Sequence, residues 1–138
     1  MLSSSQNVHA LRLFPGEDLK QALQIFAQER DLKAAYIITC VGSLQKAHLR
    51  LSGAVKKSTW STKMEIVSLV GTLFNGGCHL HISLADKQGR MVGGHLLDGC
   101  IVNTTAELVI GEAKGLEFYR EADPKTGYLE LGVRGGLD

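Results

Sequence analysis

The chain runs through two hydrophobic periods, and the change from one to the other marks its elements. Residues 7–14, NVHALRLF, place Val8, Ala10, Leu11 and Leu13 among polar neighbours and read as a strand closed by Pro15 and Gly16. Residues 16–32, GEDLKQALQIFAQERDL, carry Leu19, Leu23, Phe26 and Ala27 at helical spacing. Glu17 and Asp18 fall in the expected first turn, where acidic groups favour the helix dipole. The runs that follow are of strand type: 34–42, 45–52, 62–74, 78–85, 90–97 and 100–112. A final pair, 116–121 and 127–133, is joined by ADPKTG, with proline and glycine suited to a turn. The pattern predicts an α+β fold in one domain, residues 1–138: a mostly antiparallel sheet with one main helix packed on one face.

Two details refine this picture. VGSL at 41–44 reads as a tight strand-to-strand turn. In 62–74 the apolar positions, Met64, Ile66, Leu69 and Phe74 and also Val67 and Val70, occupy both parities. A strand apolar on both sides is buried on both sides, either by association of chains or as the central strand of a monomer's sheet.

Composition narrows the class. The chain has 138 residues, of which 44% are hydrophobic and 21% charged, with two prolines, as in an ordinary globular protein able to bury one core. The net charge of +1 excludes the broad positive field by which small domains hold nucleic acid through counterion release. The basic clusters at Lys46–Arg50 and Lys56–Lys57 read as solvated faces. Cys40, Cys78 and Cys100 are odd in number and sit in apolar runs, which suits reduced, buried thiols. MLSSSQNVHA lacks a leader's basic and apolar regions, and no run approaches a membrane span. The expectation is an intracellular protein, cytoplasmic or nuclear, with no membrane partner.

The candidate chemistry lies in GGCHLHISLADKQGRMVGGHL, residues 76–96, which holds three of the five histidines. A type I turn over Asp86–Gly89 with Gly89 left-handed would make a three-residue hairpin loop with a bulge. That turn predicts Asp86 opposite Arg90, Leu84 opposite Val92, Ile82 opposite Gly94, His81 opposite His95, Leu80 opposite Leu96 and His79 opposite Leu97. Cys78, Leu80, Ile82 and Leu84 then share an apolar face with Val92 and Leu96, while His79, His81 and His95 share the other. Three imidazoles so placed can meet one ion at about 2.1 Å. A shorter loop would send His95 to the opposite face. The competing reading makes the histidines interfacial residues, or core residues satisfied by backbone carbonyls. A third histidine directly across the hairpin, beside glycines, favours ligation of a divalent metal. Three histidines without a fourth protein ligand make an open site, completed by water or a small anion. Cys78 points to the core face and is a poor ligand; Asp86, Asp98 and Glu107 are candidate hydrogen-bond acceptors for the imidazoles or a general base.

These residues bring a resemblance into view. RLFPGEDL at 12–19, ITCVGSLQKAHLRL at 38–51, MEIVSLVGTL at 64–73, HLHISLADKQGRMVGGHLLDGCIV at 79–102 and TAELVIGE at 105–112 occur in order and with near-family spacing. The chain resembles the plant and prokaryote conserved (PPC) domain family, in its stand-alone prokaryotic form. The resemblance implies a homotrimer assembled through its sheet, and metal, zinc first, at His79, His81 and His95. The open position of the three-histidine site, for its part, would take a small anionic ligand or substrate, with hydrolytic or lyase-type activity as one outcome. Plant members carry an AT-hook built on Arg-Gly-Arg-Pro; this sequence holds no such core, so DNA binding is expected to be weak or absent. The alternative function is a non-catalytic DNA- or chromatin-associated interaction module. Glu65 and Arg12, polar within apolar strands, are expected to play structural roles, and Trp60 to anchor a loop or an interface.

Overall fold

The computed structural model describes residues 2–136. Residue 1 and residues 137–138, the ends of the expected 1–138 domain, lie outside the described residues. The elements follow in the order β1 (Gln6–Leu13), α1 (Leu19–Glu29), β2 (Ala35–Arg50), β3 (Lys57–Trp60), β4 (Met64–Phe74), β5 (Gly77–Ala85), β6 (Met91–Leu96), β7 (Ile101–Ala113), β8 (Leu116–Ala122) and β9 (Leu129–Gly135). Seven strands form one antiparallel sheet in the order β1-β7-β2-β4-β5-β6, with β3 paired to β2. β6 pairs with β5 and also with the far end of β2, so that β2, β4, β5 and β6 close on themselves. β8 and β9 make a separate two-stranded ribbon. The expected α+β class, a mostly antiparallel sheet with a single helix, is what the chain adopts.

The helix starts later than its hydrophobic period suggests, because Asp18 is its N-cap rather than a residue of its first turn. The Asp18 carboxylate accepts from the Gln21 N–H at 3.1 Å, satisfying a donor that has no partner inside the helix. Its second oxygen accepts from the Gly99 N–H at 2.7 Å and so ties the helix start to the connection between β6 and β7. Just past the Arg30 C-cap of the helix, Asp31 takes a left-handed φ of 49°, a conformation Asp tolerates better than most residues. Leu19, Leu23 and Ala27 are fully buried and meet Leu44, Leu49, Leu73, Leu80, Leu84, Leu96 and Leu108 from the sheet in one core. Among the described residues no helix is long and apolar enough to cross a membrane.

Two expectations from the pattern are corrected. VGSL lies inside the sixteen-residue strand β2 and is a bend rather than a turn. A Cβ at Gly42 would stand 2.0 Å from the Thr105 carbonyl oxygen, so glycine there allows β7 to approach, and register shifts on either side of Leu44 bend the strand. The bend lets one strand serve two neighbours: Ala35–Leu44 pairs with β4, whereas Leu49 and Arg50 pair with β6. The second correction is β3, a short strand that the polar KSTW run conceals; Trp60 lies on it opposite Ala47 and packs against the core. The two-sided strand β4 is covered on one side only within a single chain. Met64, Ile66, Leu69 and Leu73 are buried, but Val67 and Val70 are each 54% exposed, so one chain leaves that face open.

Candidate metal centre

The site rests on the β5–β6 hairpin, and the hairpin rests on its turn. Gly89 has a φ of 78°, in the left-handed region that a glycine occupies without strain. Its N–H donates to the Asp86 carbonyl at 2.9 Å, and the Asp86 N–H donates to the Arg90 carbonyl at 2.9 Å. The Asp86 carboxylate accepts from the backbone N–H groups of Gln88 and Arg90 and from Arg90 Nε, each at 2.9 Å. Asp86 is therefore the keystone of the turn. Its carboxylate is held below the ordinary range by the hydrogen bonds from Arg90 and Gln88, which outweigh its partial desolvation.

The predicted register follows over most of its length. His81 stands opposite His95, Ile82 opposite Gly94 and Leu84 opposite Val92. The last two predicted pairs, Leu80 with Leu96 and His79 with Leu97, are not formed, because β6 leaves β5 for β2 at that point: His95 pairs with Arg50 and Leu96 with Leu49. The faces nevertheless separate as the alternation requires. Leu80, Ile82, Leu84 and Leu96 are buried, and the three imidazoles gather on the opposite side.

Glycines set the spacing of the backbones beneath this cluster. A Cβ at Gly71 would lie 2.0 Å from the His79 carbonyl oxygen, and one at Gly94 would lie 2.7 Å from the Arg50 carbonyl oxygen. The glycines around the histidines thus bring strands together; they do more than clear space for side chains.

The ring centroids of His79, His81 and His95 are 5.0, 5.1 and 5.6 Å apart. His79 Nε2 and His81 Nε2 approach to 3.2 Å, and one ligand nitrogen from each of the three lies within 4.8 Å of the others. Nitrogens at about 2.1 Å from a tetrahedral ion are about 3.4 Å apart, so the cluster fits such an ion after small side-chain rotations. A second observation points the same way: His95 Nδ1 is buried without a hydrogen-bond partner. The other two histidines are served within the fold. His9 Nε2 meets the Glu112 carboxylate at 3.2 Å, and His48 Nδ1 donates to the Asp98 carbonyl at 2.8 Å. Buried polar atoms are normally paired, so the orphan at His95 calls for a partner that the chain does not supply.

Burial sets the protonation of two of the three imidazoles. Burial, helped by Arg50, His79 and His81, holds His95 down to about 4. Burial, then His81 and Arg120, also lowers His79. Both rings are neutral near pH 7, the form in which histidine binds metal.

Residues that no local motif announces surround the cluster. Arg50 arrives from the end of β2, where the β2–β6 pairing sets it beside His95; Arg120, Tyr128 and Glu130 arrive from the C-terminal ribbon. Arg50 belongs to the basic cluster read as a solvated face, and only the strand pairing reveals its position. The three acids singled out beforehand are elsewhere in the fold. Asp86 holds the turn, Asp98 offers its carbonyl to His48, and Glu107 stands on β7 between Arg12 of β1 and Val41 of β2. Cys78 lines the cleft but lies outside the histidine set, and burial raises its thiol pKa, which keeps it protonated. Arg12 donates to Thr105 and stacks on Phe14, while Glu65 pairs across strands with Ser43 and Ala85, positions remote from the histidines.

Comparison with known proteins places this arrangement. A Salmonella enterica protein of solved structure is 41% identical and superposes with a TM-score of 0.96 over 99% of both chains. A metal-containing protein from Archaeoglobus fulgidus, 26% identical, superposes with a TM-score of 0.77 over 94% of this chain and 98% of its own. The Bifunctional protein GlmU of Synechococcus sp. (strain JA-3-3Ab) is 46% identical over 131 residues, which are 95% of this chain and 21% of that protein. The chain thus spans about a fifth of the length of the curated relatives it matches. The family model described as the Plants and Prokaryotes Conserved (PCC) domain matches residues 2–114, from β1 through β7, and β8–β9 follows the matched region. With the expected resemblance met by both the family model and the fold, the chain belongs to the Plants and Prokaryotes Conserved domain family.

Proposed function

We propose that the protein is a metal-binding homotrimer in which His79, His81 and His95 hold one divalent ion, zinc first among the candidates. The observation that carries this reading is the convergence of three imidazoles on one point, with His95 Nδ1 buried and unpartnered. The metal-containing Archaeoglobus fulgidus protein of the same fold is consistent with it. Imidazole ligands suit zinc, and three of them leave a coordination position open. A divalent ion held in this way lowers the pKa of a bound water to about 7, which is the chemistry of hydrolysis or lyase reactions on small anionic substrates.

Trimer assembly has its support in the uncovered side of the sheet. Val8, Val41, Val67 and Val70 are each more than half exposed in one chain. Burying a valine stabilises by roughly 1.5–3 kcal/mol, so a second copy of this surface is a fitting cover.

Elemental analysis of tag-free protein beside the His79→Ala, His81→Ala, His95→Ala triple variant tests the site. The expected result is about one divalent ion per chain in the parent, absent from a variant whose circular dichroism is unchanged. Equal metal content in the two proteins would remove the histidines from the site. Light scattering tests the assembly: a mass three times the 14.9 kDa of one chain is expected, and a 14.9 kDa particle would refute it.

A further inference from the structure

The C-terminal ribbon and the end of β2 surround the histidines with charge that the ion alone does not explain. A cleft of about 540 Å³ opens beside His79 and His95. Two arginines line it, Arg50 from β2 and Arg120 from β8, and Glu130 is the one carboxylate among its described lining residues. Ala54, Tyr128 and Leu129 supply a less polar wall. Among the described residues, Arg120 Nη2 is one of only two buried side-chain nitrogen or oxygen atoms without a hydrogen-bond partner, and the other is His95 Nδ1. Both belong to this cleft. The remaining arginines with close partners have them within the fold: Arg90 meets Asp86 at 2.9 Å and Arg134 meets Glu117 at 3.0 Å.

A buried guanidinium nitrogen without an acceptor is costly, because it has given up water and gained nothing in return. A metal ion cannot satisfy it, since an N–H donor and a cation repel. The missing partner is an acceptor, and next to a second arginine it is an anionic one. Guanidinium groups match the paired oxygens of carboxylates and phosphates.

We infer that this cleft binds a small organic oxyanion, a carboxylate or a phosphate, with Arg50 and Arg120 as its clamp and the Tyr128–Leu129 wall against its apolar body. The inference rests on the proposed metal site in that the anion lies against the open side of the histidine cluster. The clamp itself is built from residues outside that cluster. Arg120, Tyr128 and Leu129 all lie beyond the 2–114 region that the family model matches, so the ribbon is the part of the chain that would set which anion is accepted.

Calorimetric titration of the zinc-loaded protein with isovalerate and with inorganic phosphate tests this, with metal content measured on the same samples. Arg120→Gln and Arg50→Gln are each expected to weaken binding about 10- to 100-fold, the worth of a charge-assisted hydrogen bond, with metal content unchanged. Glu130→Gln, which removes the opposing charge, should tighten it. Tighter binding of isovalerate identifies a carboxylate with an apolar body as the ligand, and tighter binding of phosphate a phosphoryl head. Metal bound with anion affinity indifferent to both arginine substitutions, or with no anion binding at all, would overturn the clamp and leave the metal site standing. Arginine-dependent anion binding in a protein that takes up no metal would sustain the clamp and remove the metal site.

Discussion

Replacing Gly71 by alanine tests whether close backbone approach, rather than side-chain packing, holds the histidines in place. Gly71 lies on β4 opposite Leu80, and its neighbours Val70 and Thr72 stand opposite His81 and His79. Its φ of 139° is one that L side chains rarely adopt, which costs about 1–3 kcal/mol for alanine. The new Cβ would also stand 2.0 Å from the His79 carbonyl oxygen, where a carbon–oxygen contact needs at least about 3.3 Å. β5 must therefore move away from β4 by roughly 1.3 Å at His79, which breaks or stretches about two ladder hydrogen bonds at about 0.5–1.5 kcal/mol each. The sum is about 2–6 kcal/mol, a large share of a stability of about 5–15 kcal/mol. Urea unfolding followed by circular dichroism, at one fixed protomer concentration, would read it. Gly127→Ala supplies the comparison. Gly127 also has a positive φ, 77°, but a Cβ there meets nothing within 4 Å, so only the backbone cost of about 1–2 kcal/mol applies. A Gly71→Ala protein no less stable than Gly127→Ala would refute the account of strand approach. Loss of metal affinity in Gly71→Ala alone would confirm that the contact positions His79.

Leu80→Ala, beneath the cluster at 1% exposure, should cost about 2–5 kcal/mol in the same assay and loosen the histidines above it; a cost under about 1 kcal/mol would mean the core there collapses freely. Asp18→Ala removes both the helix cap and the bond to Gly99, for an expected loss of about 2–4 kcal/mol, and Asp18→Asn should recover much of it. The metal-free protein should lose stability on acidification in a window set by His95. Its unfolded form takes up a proton below about 6.5, while the folded form resists until about 4, so stability is full above the upper value and falls as pH drops toward the lower one. His79, also lowered, acts in the same direction. Thermal unfolding between pH 7.5 and 4.5 should therefore be less pH-dependent in His95→Gln than in the parent, and identical slopes would contradict the burial of His95.

Much of the hairpin was legible in the linear pattern because its determinants are local. ADKQGR states its own turn, alternation fixes which side each residue takes, and together they put His79, His81 and His95 on one face. The helix was legible from its apolar spacing, although its start was misplaced by a capping interaction that period alone cannot reveal. β2 read as two strands because the glycine that bends it looks the same in a sequence as one that turns a chain. β3 was hidden because its stability comes from pairing with β2 and from Trp60 packing on the core rather than from its own composition.

The sequence by itself determined the α+β class, the family and the shared face of the three histidines, since period, turn chemistry and residue order are local properties. Only the tertiary structure decided what surrounds them. Arg50 reaches His95 because β6 crosses from β5 to β2, and Arg120 and Glu130 reach His79 because the C-terminal ribbon lies beside a hairpin some forty residues earlier. These are long-range juxtapositions set by how strands close and pack, and no spacing along the chain encodes them in a form that can be read residue by residue.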